Sequence, residues 1–294
     1  MAVGLLTPFD EGGEIQHDHL ASNAEKLHER GVTTFLACAN VSEYHSLSHD
    51  ERIAVTETSV EALPEAYVLA GVGGSTGDAV ELIESYDSIG IDAHMVMPPD
   101  HTFTHERGLV RYYRQLAAAA EHPLVPYIRG FSPSVETLVA IAEIDGVGGI
   151  KYALEDVPLF AAAQAQAPDD VVWLEGMAEP WAIPFWAAGV DGFTAGVSNF
   201  VPELGLELLD ALQAENWERA RELQNAALPY QRLRSERGKA NMFPGANSVP
   251  ALKYGLELSG FHGGASREPL VELSETDKER ARTHYERICE AVEQ

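Results

Sequence analysis

The stretch PLVPYIRGFSPSVETLVAIAEIDGVGGIKYA, residues 123–153, decides the fold. Two short apolar runs, PLVPYI and VGGIKYA, flank SVETLVAIAEI, whose apolar residues recur at helical spacing. Runs that are apolar throughout, not alternating, suit strands covered on both faces. A helix between two such strands is the crossover that parallel pairing needs. The same unit repeats in both directions from here. Toward the N-terminus, VGLLT, VTTFLACA, AYVLAGV and IDAHMVMP each precede an amphipathic segment. Toward the C-terminus, VGGIKYA leads into a helix near 156–166, and DVVWLEG and VDGFTAG each lead into another. Eight strand–helix units predict an α/β fold, a (β/α)8 TIM barrel over residues 1–216. Residues 217–294 are helical and amphipathic and read as a C-terminal extension packed on the barrel. A doubly wound open sheet is the alternative, weakened because no Gly-rich phosphate loop follows the first strand.

Composition bounds the function. The net charge of −26 opposes binding to nucleic acid and to anionic membrane surfaces. Acidic residues are spread along the chain, and most cations are arginine. That balance fits a protein of concentrated salt, where self-repulsion is screened; an acidic mesophilic protein is the plainer alternative. No apolar run approaches the length of a membrane-spanning helix. The opening MAVGLLTPFDEGGE has no basic region ahead of its apolar run, so no leader is read there. Two cysteines, Cys38 and Cys289, stand far apart and fit a reducing cytoplasm.

In a (β/α)8 barrel the chemistry lies at the C-terminal strand ends. Those positions are Thr7, Asn40, Val41, Ser42, Glu43, Pro98 to His101, Tyr127, Lys151, Glu175 and Thr194 to Asn199, with Gly196 among the last. Lys151 is one of five lysines and ends an apolar run. A lysine drawn into a dry site loses solvation, which favours the neutral amine that attacks a ketone to form a Schiff base. The alternative is an ammonium that snorkels to solvent or pairs with a carboxylate. Lys26 and Lys278 sit among helix charges, Lys239 lies in RGKANM, and Lys253 in VPALKYGLEL lies outside the barrel units. Tyr127, one strand before, is placed to relay a proton, or is an ordinary buried tyrosine with a satisfied hydroxyl. Thr7 and ANVSE offer donors for a carboxylate, against a reading in which Ser42 caps a helix with Glu43 nearby. His17 and His19, and His101 and His105, match no H-E-x-x-H pattern, and no metal site is expected.

Taken together, LLTPFDEGGEI, SEYHSLSHDER, GIKYA, NFVP and PALKYGLELSGFHGGASREPLVEL follow the order of motifs in the dihydrodipicolinate synthase/N-acetylneuraminate lyase family. The chain resembles that family over essentially its whole length. The resemblance implies a Schiff-base lyase, commonly tetrameric, acting on a small 2-keto acid and needing no cofactor beyond the covalent imine on Lys151. It aligns Tyr127 with the proton-relay tyrosine, and Asn40 and Val41 with two hydroxyl residues that hold the keto-acid carboxylate. Departures accompany the match. ANVSE replaces a Gly-Thr-Thr-Gly-Glu loop, so Asn40 and backbone amides would bind the carboxylate. PPDHTF stands where the synthases carry paired tyrosines, with His101 nearest that place. YIRGFS, with Arg129 as a substrate contact, replaces Tyr-Asn-x-Pro. YIRG and TAGVSNFVPE, which includes Asn199, are similar to the 2-keto-3-deoxy sugar acid dehydratases, with sugar acid aldolases close by. The synthases and, outside the family, a metal-dependent barrel hydrolase or a silent keto-acid binding protein are the alternatives.

Overall fold

The computed structural model describes residues 1–99, 103–238 and 244–293. Eight strands close into a parallel barrel in sequence order. They are β1 (Ala2–Gly4), β2 (Thr34–Ala37), β3 (Tyr67–Val72), β4 (Ala93–Val96), β5 (Leu124–Ile128), β6 (Gly149–Tyr152), β7 (Val172–Glu175) and β8 (Gly192–Ala195). The helices that follow them are α1 (His17–Glu29), α2 (His49–Ala62), α3 (Thr76–Ile89), α4 (Glu106–Ala117), α5 (Val135–Ala142), α6 (Val157–Gln164), α7 (Glu179–Ala187) and α8 (Pro202–Gln213). Three more complete the chain: α9 (Trp217–Ser235), α10 (Ser248–Leu258) and α11 (Glu275–Val292). The expected (β/α)8 barrel is therefore the fold. No helix among the described residues is long and apolar enough to cross a membrane.

Local chemistry sets the helix starts. Ser48 accepts from the Glu51 amide while the Glu51 carboxylate reaches back to the Ser48 amide, which closes a capping box at α2. Ser75 and Asp78 do the same at α3. Ser134 caps α5 and Asp156 caps α6. Gly90 ends α3 at φ 89°, a conformation that costs a glycine little.

The chain divides into two compact units. Residues 67–194 carry β3 to β7 and most of β8. Their register pairs Leu69 with Ala93, Met95 with Val125, Tyr127 with Lys151, and Lys151 with Leu174. Alternation along each strand separates two environments. Tyr152 and Trp173 point outward into an aromatic cluster with Phe160 and Phe185, at centroid distances of 5.2 to 5.7 Å. On β4, His94 also points outward and pairs with Asp87 at 2.7 Å. The intervening residues, Met95 and Lys151, meet on the inner side although their strands are not neighbours.

Residues 1–66 and 195–294 form the other unit, in which β1 pairs with β2 through Val3 and Phe35. There α9 packs on α8 and α11, and the Tyr230 hydroxyl donates to the Ala251 carbonyl at 2.7 Å, tying α9 to α10. Cys38 and Cys289 form no disulfide among the described residues.

Candidate active site

In the unit of residues 67–194, the lysine at the end of β6 is the centre of the site. Lys151 is only 6% exposed. Its Nζ lies 3.6 Å from the Met95 sulfur and 4.2 Å from the centroid of the Tyr127 ring. Among the described residues, no carboxylate oxygen lies within ion-pair distance of it. Burial therefore pulls the ammonium's pKa below its ordinary value; the Arg129 charge adds to this, while Tyr127 and Glu175 oppose it. A glycine makes room for the stem. A Cβ on Gly176 would stand 3.0 Å from the Ala153 Cβ and 3.1 Å from the Lys151 Cγ.

Tyr127 is held from just past the end of its strand, where Arg129 Nη1 donates to the phenol oxygen at 3.1 Å. Glu175, on β7 beside Lys151's strand, is fully buried. Its Oε1 accepts from the Met177 amide, and its Oε2 has no hydrogen-bond partner among the described residues. Burial pushes this carboxyl well above the usual range, and the nearby Glu179 charge pushes it further. The Met177 and Ala178 amides and Lys151 only partly offset that. Burial of this kind favours the neutral acid over the carboxylate.

The candidates in the other unit fall into two groups. Thr7 Oγ1 donates to the Ser42 carbonyl at 2.8 Å, and Ser42 Oγ donates to the Leu5 carbonyl while accepting from the Ala39 amide at 2.9 Å. Both hydroxyls thus pin the loop after β2 to the end of β1. Ser42 caps no helix, so the alternative reading of it as a cap falls; Ser48, with Glu51 three residues on, caps α2. Asn40 and Val41 are half-buried on the same loop, and Gly4 leaves space for Val41, whose Cγ2 would lie 2.6 Å from a Cβ there. Glu43 is buried at φ 58°, in the left-handed region. Its carboxylate meets Lys253 Nζ at 2.6 Å and accepts from the Arg267 amide at 3.0 Å. It therefore anchors the chain near residue 267 to the β2 loop, a structural task not foreseen for a substrate contact.

The second group follows β8. Asn199, fully buried in the short 3-10 turn Val197–Asn199, donates to the Gly196 carbonyl at 3.2 Å. A Cβ on Gly196 would stand 2.1 Å from the Arg234 guanidinium, so this glycine gives the arginine its place. Arg234 also donates to Gln231 at 2.6 Å. His101 and Lys239 lie outside the described residues. The other histidines weighed for metal have different partners. His17 bonds Thr58 at 2.7 Å, His19 stacks on His262 at 3.8 Å, and His105 accepts from the Arg107 amide at the start of α4.

Sequence reading missed Met95, Glu179 and Arg234. No local signal marks Met95 or Glu179, since each acquires its meaning from another strand or loop. Arg234 follows Gln231 by three residues on α9, which places both on one helix face.

A closed (β/α)8 barrel with a buried amine at a strand end and a phenol on the adjacent strand has the construction of a barrel enzyme. The chain belongs to the Dihydrodipicolinate synthetase family, whose model matches residues 1–288, and it is a lyase. It is 31% identical over 292 residues to the 4-hydroxy-tetrahydrodipicolinate synthase of Methanopyrus kandleri, with 97% of this chain and 94% of the relative covered. It is 30% identical over 282 residues to the "Probable 5-dehydro-4-deoxyglucarate dehydratase 1" of Streptomyces coelicolor, with 92% and 86% covered. Dihydrodipicolinate synthase from Oceanobacillus iheyensis, known from its crystal structure, matches at a TM-score of 0.92 and 30% identity, with 97% and 95% covered.

Proposed function

We propose that this lyase works through a Schiff base on Lys151 and that its substrate is a 2-keto-3-deoxy sugar acid. The observation that carries the reading is a contrast between two buried lysines. Lys253 is neutralised by Glu43 at 2.6 Å, whereas Lys151 faces a thioether and an aromatic ring. Burial without a carboxylate favours the free amine, which is the nucleophilic form.

The amine adds to the C2 carbonyl carbon, and the carbinolamine loses water. The protonated imine then accepts electrons from C3. In dehydration, a proton leaves C3, its electron pair enters the enamine, and the C4 hydroxyl departs with a proton as water. In aldol cleavage, the C4 hydroxyl loses its proton and the C3–C4 bond breaks, leaving an aldehyde and the enamine of pyruvate. Hydrolysis frees Lys151 in both cases, so the covalent imine takes the place of a cofactor.

The Streptomyces relative's name supports a sugar acid and dehydration. So does PPDHTF, which lacks the tyrosines of the synthases. The names of the Methanopyrus relative and of the Oceanobacillus structure support a second reading, condensation of pyruvate with aspartate semialdehyde. One panel separates them. The protein is offered 2-keto-3-deoxy sugar acids, with pyruvate and dehydrated product measured separately, and then pyruvate plus aspartate semialdehyde. Turnover of a sugar acid to a dehydrated product is expected; turnover of the semialdehyde pair alone would replace this reading with the synthase.

A homotetramer adapted to concentrated salt belongs to the same proposal, supported by the motif resemblance and the net charge of −26. Light scattering across a salt series is expected to give a tetramer that persists at molar salt; a monomer throughout would contradict it.

A further inference from the structure

Arg129 lies one residue past β5 and two past the buried Tyr127, with its own side chain reaching from the exposed strand end. The guanidinium Nη1 donates to the phenol oxygen at 3.1 Å. Arginine stays charged at every working pH, so this donor brings a permanent positive charge to the phenol oxygen. The ring also carries Lys151 Nζ over its face at 4.2 Å.

We propose that Arg129 is a positioning residue that stabilises the anionic form of Tyr127, making the phenolate the resting base of the reaction. This rests on the reading of Lys151 as the imine-forming residue. In dehydration the phenolate oxygen takes the C3 proton, and the C3–H electron pair enters the enamine. The same phenol then gives that proton to the C4 hydroxyl, the C4–O bond breaks, and water leaves. The phenolate is restored against Arg129. In aldol cleavage the oxygen takes the proton of the C4 hydroxyl and later returns it to C3 of the enamine. Either cycle begins and ends with the phenolate and draws on no outside acid, whereas a neutral phenol has no lone charge with which to start it.

Among the described residues, the neighbouring groups favour the anion. From just past the strand's end comes Arg129, and from β6 comes Lys151, an uncharged amine at rest that becomes cationic once the iminium forms. β4 offers the uncharged Met95. β7 offers Glu175, whose neutral form burial favours, which reduces the negative charge set against the phenolate. Asp87 pairs with the outward-facing His94 and is turned away from the site.

The test needs no substrate in its first arm. The near-ultraviolet tyrosinate band is titrated with pH in the wild type, Tyr127→Phe, Arg129→Gln and Arg129→Lys. One of the ten tyrosines is expected to ionise about 1–3 pH units below the rest. That step should vanish in Tyr127→Phe, move to higher pH in Arg129→Gln, and return part of the way in Arg129→Lys. The acid limb of kcat/KM should move with it, and kcat should fall by about 10²–10⁴ in Tyr127→Phe. Borohydride trapping of pyruvate on Lys151 should persist in Arg129→Gln. The absence of an early tyrosinate in the wild type would overturn the proposal. So would an Arg129→Gln enzyme with a raised KM and an unmoved acid limb, which would make Arg129 a substrate contact only. Failure of trapping in the wild type would overturn the imine itself, a result separate from the titration.

Discussion

The Nζ of Lys151 lies 3.6 Å from the sulfur of Met95, on a strand that is not its neighbour in the barrel. A thioether offers a weak acceptor and no charge. It fills the space where a carboxylate would hold the ammonium protonated.

This makes Met95 the position from which the amine can be retuned. Met95→Leu conserves volume, so it should cost under about 1.5 kcal/mol and leave imine formation nearly unchanged. Met95→Glu should place a charge beside Lys151 and raise its pKa. The pH of half-maximal borohydride trapping should then move up by about 1–3 units. An unmoved trapping profile would mean that Met95 does not set the state of the amine.

Gly176 keeps the lysine stem in place. The Cβ of Gly176→Ala would sit 3.1 Å from the Lys151 Cγ and 3.2 Å from the Tyr152 carbonyl. Backbone oxygen cannot swing aside, so the lysine must shift. A cost of about 1–3 kcal/mol is expected. A displacement of the reactive nitrogen near 1 Å should lower turnover by about 10²-fold. Melting temperature and kcat measured on one preparation check both.

Glu175 gives a pH signature. Its carboxyl is raised in the folded state from an ordinary value of 4.5, so the native protein binds the proton more tightly than the unfolded chain. Below pH 4.5 both states hold the proton and the residue is neutral to stability. As pH rises, the unfolded chain gains solvated charge and the native state does not. Stability then falls by about 1.4 kcal/mol per pH unit until the folded carboxyl ionises. Glu175→Gln should remove this slope. Its melting temperature should match the wild type at pH 4 and exceed it increasingly as pH rises above the ordinary carboxylate range. A constant difference as pH rises would contradict a buried neutral acid.

The pair of Lys253 and Glu43 should behave as a buried ion pair. Lys253→Met leaves Glu43 uncompensated and should cost about 3–5 kcal/mol. Adding Glu43→Gln should recover much of that, since the uncompensated charge is gone. Denaturant unfolding of both variants reads the difference, and an equally unstable double variant would mean that packing, not charge, dominates.

Much of the fold is legible because its strands are apolar on both faces and its helices are not. PLVPYI and VGGIKYA around SVETLVAIAEI already contain the parallel unit. Lys151 and Tyr127 are legible as strand ends, since a polar group that closes an apolar run marks where the strand leaves the core for the barrel mouth. The same covered strands conceal direction. In IDAHMVMP nothing local tells that His94 points outward and Met95 inward, because neither face is left to water. Glu43 reads as a loop carboxylate near substrate; its partner Lys253 is 210 residues away, a separation no spacing rule crosses. Ser42 shows the same limit at short range. Its hydroxyl serves β1, not a helix, and only the folded chain brings Leu5 to it.

The most direct measurement is reductive trapping at Lys151. The protein is incubated with pyruvate and borohydride, digested, and its peptides weighed, beside Lys151→Ala treated alike. A stable mass gain on the peptide containing Lys151, absent from Lys151→Ala, is the expected result. Labelling that persists unchanged in Lys151→Ala, or full turnover by that variant, would contradict the imine at Lys151.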